Sequence, residues 1–199
     1  MRHLREAADE ILRGISEAME ELDLSQVEGM LEALLRTRAG RSRVLVVGAG
    51  RSGLVGKAFA MRLMHLGFDV YVMGETITPS VGEGDLVLII SGSGSTALPV
   101  TVAGMAKRLG ARVLAVTSHP DSPLGKAADH LVLIPGRERR AREEEYSSRQ
   151  MLGEHEPLAP MGTLFEDACM VFLDSVIAEL MARLGTSEEE MRRKHAAIE

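Results

Sequence analysis

Asp85-Leu86-Val87-Leu88-Ile89-Ile90-Ser91-Gly92-Ser93-Gly94-Ser95-Thr96 runs from an unbroken apolar strand straight into a turn of glycine and hydroxyl residues. Ala97 to Leu109 then has the apolar spacing of a helix, so Ser91 to Thr96 make a strand-to-helix turn. Gly92 and Gly94 let the backbone bend sharply and come close to a ligand. The hydroxyls of Ser91, Ser93, Ser95 and Thr96 join the free N–H groups of the helix start in one small volume. The helix end adds roughly half a positive charge, which suits a phosphate. A turn that only capped a helix would need one hydroxyl, and here there are four. No P-loop lysine follows, so the expected ligand is a phosphorylated small molecule and not a nucleoside triphosphate.

A second turn of this kind lies upstream. Val44-Leu45-Val46-Val47 is an apolar strand, followed by Gly48-Ala49-Gly50-Arg51-Ser52-Gly53 and a helix from about Leu54 to His65. The glycines satisfy Gly-x-Gly-x-x-Gly, and Glu75 stands roughly where a dinucleotide site wants an acidic residue; a nicotinamide-dependent enzyme is therefore one reading. Further strands are expected at Val70–Met73, Arg112–Thr117 and His130–Ile134, with a loop at Gly74–Pro79 and a short helical piece at Ser122–Ala127. Apolar strands alternating with helices imply an α/β fold: a three-layer α/β/α doubly wound five-stranded parallel sheet, with N-terminal helices. Ligands of such sheets sit at the carboxyl ends of the strands, where both turns lie.

Residues 1–40 read as the helical segment, 41–135 as the sheet core, 136–160 as a loop and 161–199 as C-terminal helices. Leu4, Ala8, Ile11, Ile15, Met19 and Leu22 define an amphipathic helix over about 2–22, able to pack on its own sheet or on a neighbouring subunit. Ser25 with Glu28 forms the pattern of a capping box for a second helix, ended by Ala39-Gly40. Gly136 to Gln150 turns to Arg and Glu without apolar periodicity, a solvated loop and a candidate lid. The helix from about Leu164 to Leu184 is apolar nearly all round, must be buried on more than one side, and favours an oligomer interface. Thr186 with Glu189 is the pattern of another capping box, before a short helix through His195.

A chain of 199 residues is large enough to bury a core without staples. Its single cysteine, Cys169, excludes an intrachain disulfide and reads as a small buried hydrophobe in a reducing compartment. Without a signal peptide or a spanning apolar run, a cytoplasmic protein with no membrane partner is expected. A formal net charge of -6 with 3% aromatic residues offers no footprint for nucleic acid.

The paired turns, the segment Thr117-Ser118-His119-Pro120-Asp121-Ser122-Pro123-Leu124 and the strand order resemble the sugar isomerase (SIS) domain, which binds phosphosugars. Gly50 to Leu63, Gly74-Glu75-Thr76, the serine turn and Met161-Gly162-Thr163-Leu164-Phe165-Glu166 resemble more closely the 6-phospho-3-hexuloisomerases within it. The resemblance covers nearly the whole chain. It implies a flavodoxin-like strand order, a homotetramer, no metal and no cofactor. It also implies substrate contacts from Arg51, Ser52 and the run Ser91, Gly92, Ser93, Gly94, Ser95, Thr96, with Glu166 as the proton carrier. Ser95 departs from the glutamate that many SIS loops have before the threonine.

The implied reaction turns a 3-keto hexose phosphate into fructose 6-phosphate, moving a proton from C2 to C3 through an enediolate. One base must reach both carbons. Glu166 suits this if Leu164, Phe165 and Met161 desolvate it, but Thr163-x-x-Glu166 is also a capping-box pattern, which would favour the charged carboxylate. His65, at the end of the first crossover helix, is the preferred second catalytic group, with His195 the other candidate. The substrate is already open-chain, because O6 is phosphorylated and no hydroxyl is placed to close a five-membered ring on C3. A non-catalytic phosphosugar sensor is the alternative from another class; it would keep the serine turn and need no glutamate at 166.

Overall fold

The computed structural model describes residues 1–136, 159 and 162–195. The candidate lid beyond Gly136, and Met161, lie outside the described residues. In chain order the elements are α1 (Arg2–Glu20), α2 (Leu24–Ala39), β1 (Arg43–Gly48), α3 (Gly50–His65), β2 (Asp69–Val72), β3 (Leu86–Ile90), α4 (Ala97–Arg108), β4 (Arg112–Thr117), α5 (Pro123–Ala127), β5 (His130–Leu133), α6 (Thr163–Leu184) and α7 (Glu188–Lys194).

The five strands form one all-parallel sheet in the order β2-β1-β3-β4-β5. Side chains alternate across it, as strand geometry requires. Val44, Val46, Leu86, Leu88, Ile90, Leu114 and Val116 pack into the core under α2, α3 and α6. Their neighbours Leu45, Val47, Val87, Ile89, Val113 and Ala115 pack on the opposite face with Val102, Ala103 and Ala106 of α4 and Leu124 of α5. Every residue of the central strand β3 is buried. This explains its apolar run: in a sheet covered on both faces neither side of the pleat reaches water.

The carboxylate of Asp85, itself buried, ties the starts of β1 and β3 together by accepting from the N–H groups of Arg43 (2.8 Å) and Gly82 (3.0 Å). The open edge at β5 is covered by α2. The Gln26 side-chain carbonyl accepts from Leu133 N–H at 2.9 Å, and His130 Nε2 donates to the Gln26 backbone carbonyl at 2.6 Å. An edge donor that could recruit a foreign strand is thereby occupied.

Of the three capping boxes the sequence offers, two give way to neighbouring residues and one does not form. α2 is capped by Asp23, which accepts from Ser25 N–H at 2.8 Å, while Glu28 is drawn away into a two-pronged pair with Arg183 at 2.6 and 2.7 Å. α7 is capped by Ser187 with Glu190 in a reciprocal box, one residue beyond the expected pair, and Glu189 pairs with Arg193 instead. α6 starts from Gly162 in the left-handed region (φ 85°) with no side-chain cap, so Thr163 and Glu166 form no capping box.

α6 packs within the chain against α1 and α3 and keeps one face exposed, along Val171, Asp174, Ser175, Ala178 and Glu179. Ala18 of α1 is buried, with Ile15 and Met19 partly so, whereas Leu4 and Leu12 remain exposed. The leading helix thus packs on its own chain through its C-terminal half.

Candidate active site

The strand order reverses between β1 and β3, and the turns leaving these adjacent strands, β1 to α3 and β3 to α4, flank the resulting crevice. A cavity of about 290 Å³ occupies it. Ser52, Ser91, Gly92, Ser93, Thr96 and Glu166 line it together with Ser118, His119, Gly162 and Phe165. Residues more than a hundred positions apart in the chain are thus brought to one place.

The serine turn is held from beneath. Gly94 adopts φ 62°, and a side chain there would collide with Ser122 and approach Thr117 Oγ1 to 3.1 Å. Three donors fix the Gly92 carbonyl: the Thr117 hydroxyl at 3.0 Å, the Ser118 N–H at 3.1 Å and His119 Nδ1 at 3.0 Å. Ser95 donates its N–H and hydroxyl to Ser93 Oγ at 3.3 and 3.2 Å, shaping the turn from an exposed position outside the lining. Thr96 is the N-cap of α4, yet its hydroxyl caps no helix N–H. Pro99 removes one first-turn donor, and the N–H groups ahead of it have no intrahelical acceptor. Hydroxyls of Ser91, Ser93 and Thr96 and the start of α4 therefore face the cavity, an arrangement whose chemistry suits an anion.

Glu166 enters from the opposite wall, in the first turn of α6. Its side chain is 14% exposed; Arg51 Nε donates to Oε2 at 3.1 Å, and the Ser52 hydroxyl reaches Oε1 at 3.4 Å. A side chain at Gly162 would stand 2.9 Å from Oε2, so glycine there both permits the left-handed turn and leaves room for the carboxylate. One turn along α6, Cys169 is buried beneath this site. Burial pushes its thiol well above the ordinary range, and the Glu166 charge adds to the effect, which suits a small hydrophobe and no nucleophile.

Four expected residues lie outside this lining: Gly94 and Ser95, within the turn itself, and Arg51 and His65, which are placed elsewhere. Arg51 is half exposed and stands on Glu166 and Asp167, outside the cavity lining. His65 is not brought to this cavity in a single chain. It is the last residue of α3, about 20 Å along the helix from the glycine turn. There it lines a second cavity with Arg62, Asp174, Met181, Met191 and His195, its ring 5.2 Å from that of His195. The histidine that does line the first cavity is His119, to which the sequence reading gave no role. The signal for it was its position just past the carboxyl end of β4, where doubly wound sheets bind ligands. A backbone carbonyl only accepts, so the contact with Gly92 places the proton on Nδ1 and leaves Nε2 as the ring's remaining polar atom.

The model of the SIS domain matches residues 39–148, and the chain belongs to that family. Within it, the chain is 43% identical over 157 residues to a Bacillus subtilis protein named 3-hexulose-6-phosphate isomerase, a match covering 79% of this chain and 80% of the relative. An uncharacterized protein of Aeropyrum pernix is 57% identical over 190 residues, 96% of this chain and 90% of the relative. A crystal structure from Methanococcus jannaschii, from which the molecular function of 3-hexulose-6-phosphate isomerase was inferred, covers the whole of both chains with a TM-score of 0.76 and 31% identity.

Proposed function

We propose that the protein is a phosphosugar isomerase interconverting D-arabino-3-hexulose 6-phosphate and fructose 6-phosphate. The observation that carries this reading is the convergence of the Glu166 carboxylate and the hydroxyl-rich α4 turn on one cavity. A binding module needs the turn alone. A proton transfer at carbon needs a base fixed at a distance from the phosphate anchor, and Glu166 meets that description. The phosphate sits at the start of α4, held by Ser91, Ser93 and Thr96, and the open sugar chain runs toward α6. Glu166 takes the proton from C2 and, through the enediolate, returns it to C3, while Ser52 and His119 Nε2 bind the sugar oxygens. These names on the relatives, at 35–43% identity across several organisms, support the same substrate.

The finer parts of the reading are a cytoplasmic homotetramer and a role for His65. Leu54, Met61 and Met64 leave an exposed apolar stripe on α3 through which copies would pack. His65 ends that helix, so any part it takes in the reaction is in a neighbouring copy's cavity. The nicotinamide reading places its acidic residue at Glu75, which lies outside the cavity lining and pairs with Lys57 at 2.6 Å. Incubating the pure protein with arabino-3-hexulose 6-phosphate, with neither cofactor nor metal added, should yield fructose 6-phosphate. Binding without turnover would assign a sensor instead.

A further inference from the structure

Arg51 belongs to the glycine turn but turns its side chain to the base. Nε donates to Glu166 Oε2 at 3.1 Å and a terminal nitrogen donates to Asp167 Oδ1 at 3.3 Å. Consecutive residues of a helix point about 100° apart, so two carboxylates at 166 and 167 diverge unless something spans them. A guanidinium spans them with one rigid plane. A single contact would leave Arg51 free to swivel about it, and the second contact removes that freedom. The same contacts join the N-terminal ends of α3 and α6, the helices that contribute Ser52 and Glu166 to the cavity.

We infer that Arg51 and Asp167 form a clamp that aims the Glu166 carboxylate, making both positioning residues, with Arg51 serving the base and not the phosphate. The inference rests on the isomerase reading above. It also separates the two oxygens of Glu166. Oε2 is committed to Arg51 at 3.1 Å, whereas Oε1, among the described residues, has the long 3.4 Å contact from Ser52 and is the atom left to carry the proton between C2 and C3. Asp167, 40% exposed and outside the cavity lining, acts only through Arg51.

Charge and shape are separated by Arg51→Lys, which keeps a cation and loses the planar fork. A phosphate ligand would be replaced well by lysine, a competent point-charge partner for phosphate. A clamp would not. The assay measures kcat and KM with arabino-3-hexulose 6-phosphate and inhibition by inorganic phosphate, in Arg51→Lys, Asp167→Ala and the double variant, alongside melting temperatures. Misplacing the base predicts a kcat loss of about 10- to 100-fold in each single variant, with KM and the phosphate inhibition constant within about twofold of the parent. Because the two residues act as one unit, the double variant should be no worse than the poorer single variant. Asp167→Asn, which retains an oxygen acceptor, should recover part of the loss. Undiminished kcat in Arg51→Lys, or a rise in KM and in the phosphate inhibition constant at unchanged kcat, overturns the clamp while leaving the isomerase reading intact. Absence of turnover by the parent protein overturns both.

Discussion

Replacing Glu166 by glutamine removes the carboxylate proposed as proton acceptor and almost nothing else. The amide oxygen can still accept from Arg51 Nε, and the amide nitrogen can donate to the Ser52 hydroxyl, so both side-chain contacts survive in kind. No cap is lost, because α6 starts at Gly162 without a side-chain cap. What disappears is the charge in a pair whose arginine is half exposed, worth about 0–1 kcal/mol. For a chain of this length that moves the melting temperature by no more than about 4 °C. Loss of a general base should cost about 10²–10⁴ in turnover, or about 2.7–5.4 kcal/mol in the barrier. The two effects are separable by measuring fructose 6-phosphate formation, fructose 6-phosphate affinity and thermal unfolding on one preparation. Running the parent enzyme in deuterated water adds a check, since a single base working through an enediolate exchanges with solvent and leaves deuterium at C3 of the product. Turnover by Glu166→Gln within a few-fold of the parent would refute the assignment, whatever the stability.

Ser93→Ala and Thr96→Val should each weaken fructose 6-phosphate binding by about 1.5–3 kcal/mol in calorimetric titration while leaving the fold intact; unchanged affinity in both would remove the cradle. Chelators should leave activity untouched, since the residues assigned need no Lewis acid; a loss restored by added metal would overturn that mechanism. If His65 acts across an interface, co-expressed Glu166→Gln and His65→Ala chains should show activity that neither variant has alone, because a mixed oligomer contains cavities with both groups intact; no recovery would restrict His65 to structure. At Asp129, burial pushes the carboxyl up, but the bonds from the Lys107 ammonium (2.6 Å) and the Val113 N–H (2.8 Å), with the Lys107 and Arg112 charges, hold it below its ordinary value of 3.8. A folded-state value below the unfolded one gives stability that is complete above the unfolded value and lost as pH falls through the folded one. Asp129→Asn should therefore cost about 1 kcal/mol at neutral pH, the half-open pair being screened, and the difference should shrink in denaturant titrations below pH 3.8; a constant difference down to strongly acidic pH would refute the linkage.

The sheet was legible because a strand covered on both faces must be apolar throughout, and the run Leu86–Ile90 fits nothing else at its length. The cradle was legible for a related reason: its hydroxyls are adjacent in sequence, so local geometry alone gathers them. Caps were displaced by a residue or two where several candidates stand side by side. Asp23 and Ser25 compete for one helix start, as do Thr186 and Ser187 for another, and each contest is settled by which carboxylate is drawn elsewhere, as Glu28 is by Arg183. The ambiguity of Glu166 was of the same kind over a longer range. Its carboxylate caps no helix and is taken by Arg51 and Ser52, more than a hundred residues upstream, and no periodicity in the α6 sequence carries that information. His119 escaped notice because its role depends on β4 lying beside β3, a matter of strand order and not of local pattern.

The order of the strands also explains why the serine turn and Glu166 come from well-separated parts of the chain. β1 and β3 are neighbours whose chain segments depart in opposite directions, so the crevice above them has two walls from the start, α3 and α4, and no roof. α6, which follows all five strands in sequence and packs against α3, brings Phe165 and Glu166 to the cavity beside the serine turn. It lies so close that a single carbon added at Gly92 would stand 2.9 Å from the Phe165 ring. The Phe165 ring thus rests on the serine turn, and Glu166 is the next residue along the same helix. The distance between the serine turn and the Glu166 carboxylate is therefore set by packing at Gly92, and its direction by the contacts of Arg51 and Ser52. An isomerase that moves a proton between adjacent carbons of an open chain depends on both, since an error of about 1 Å at the base can cost about a hundredfold in rate.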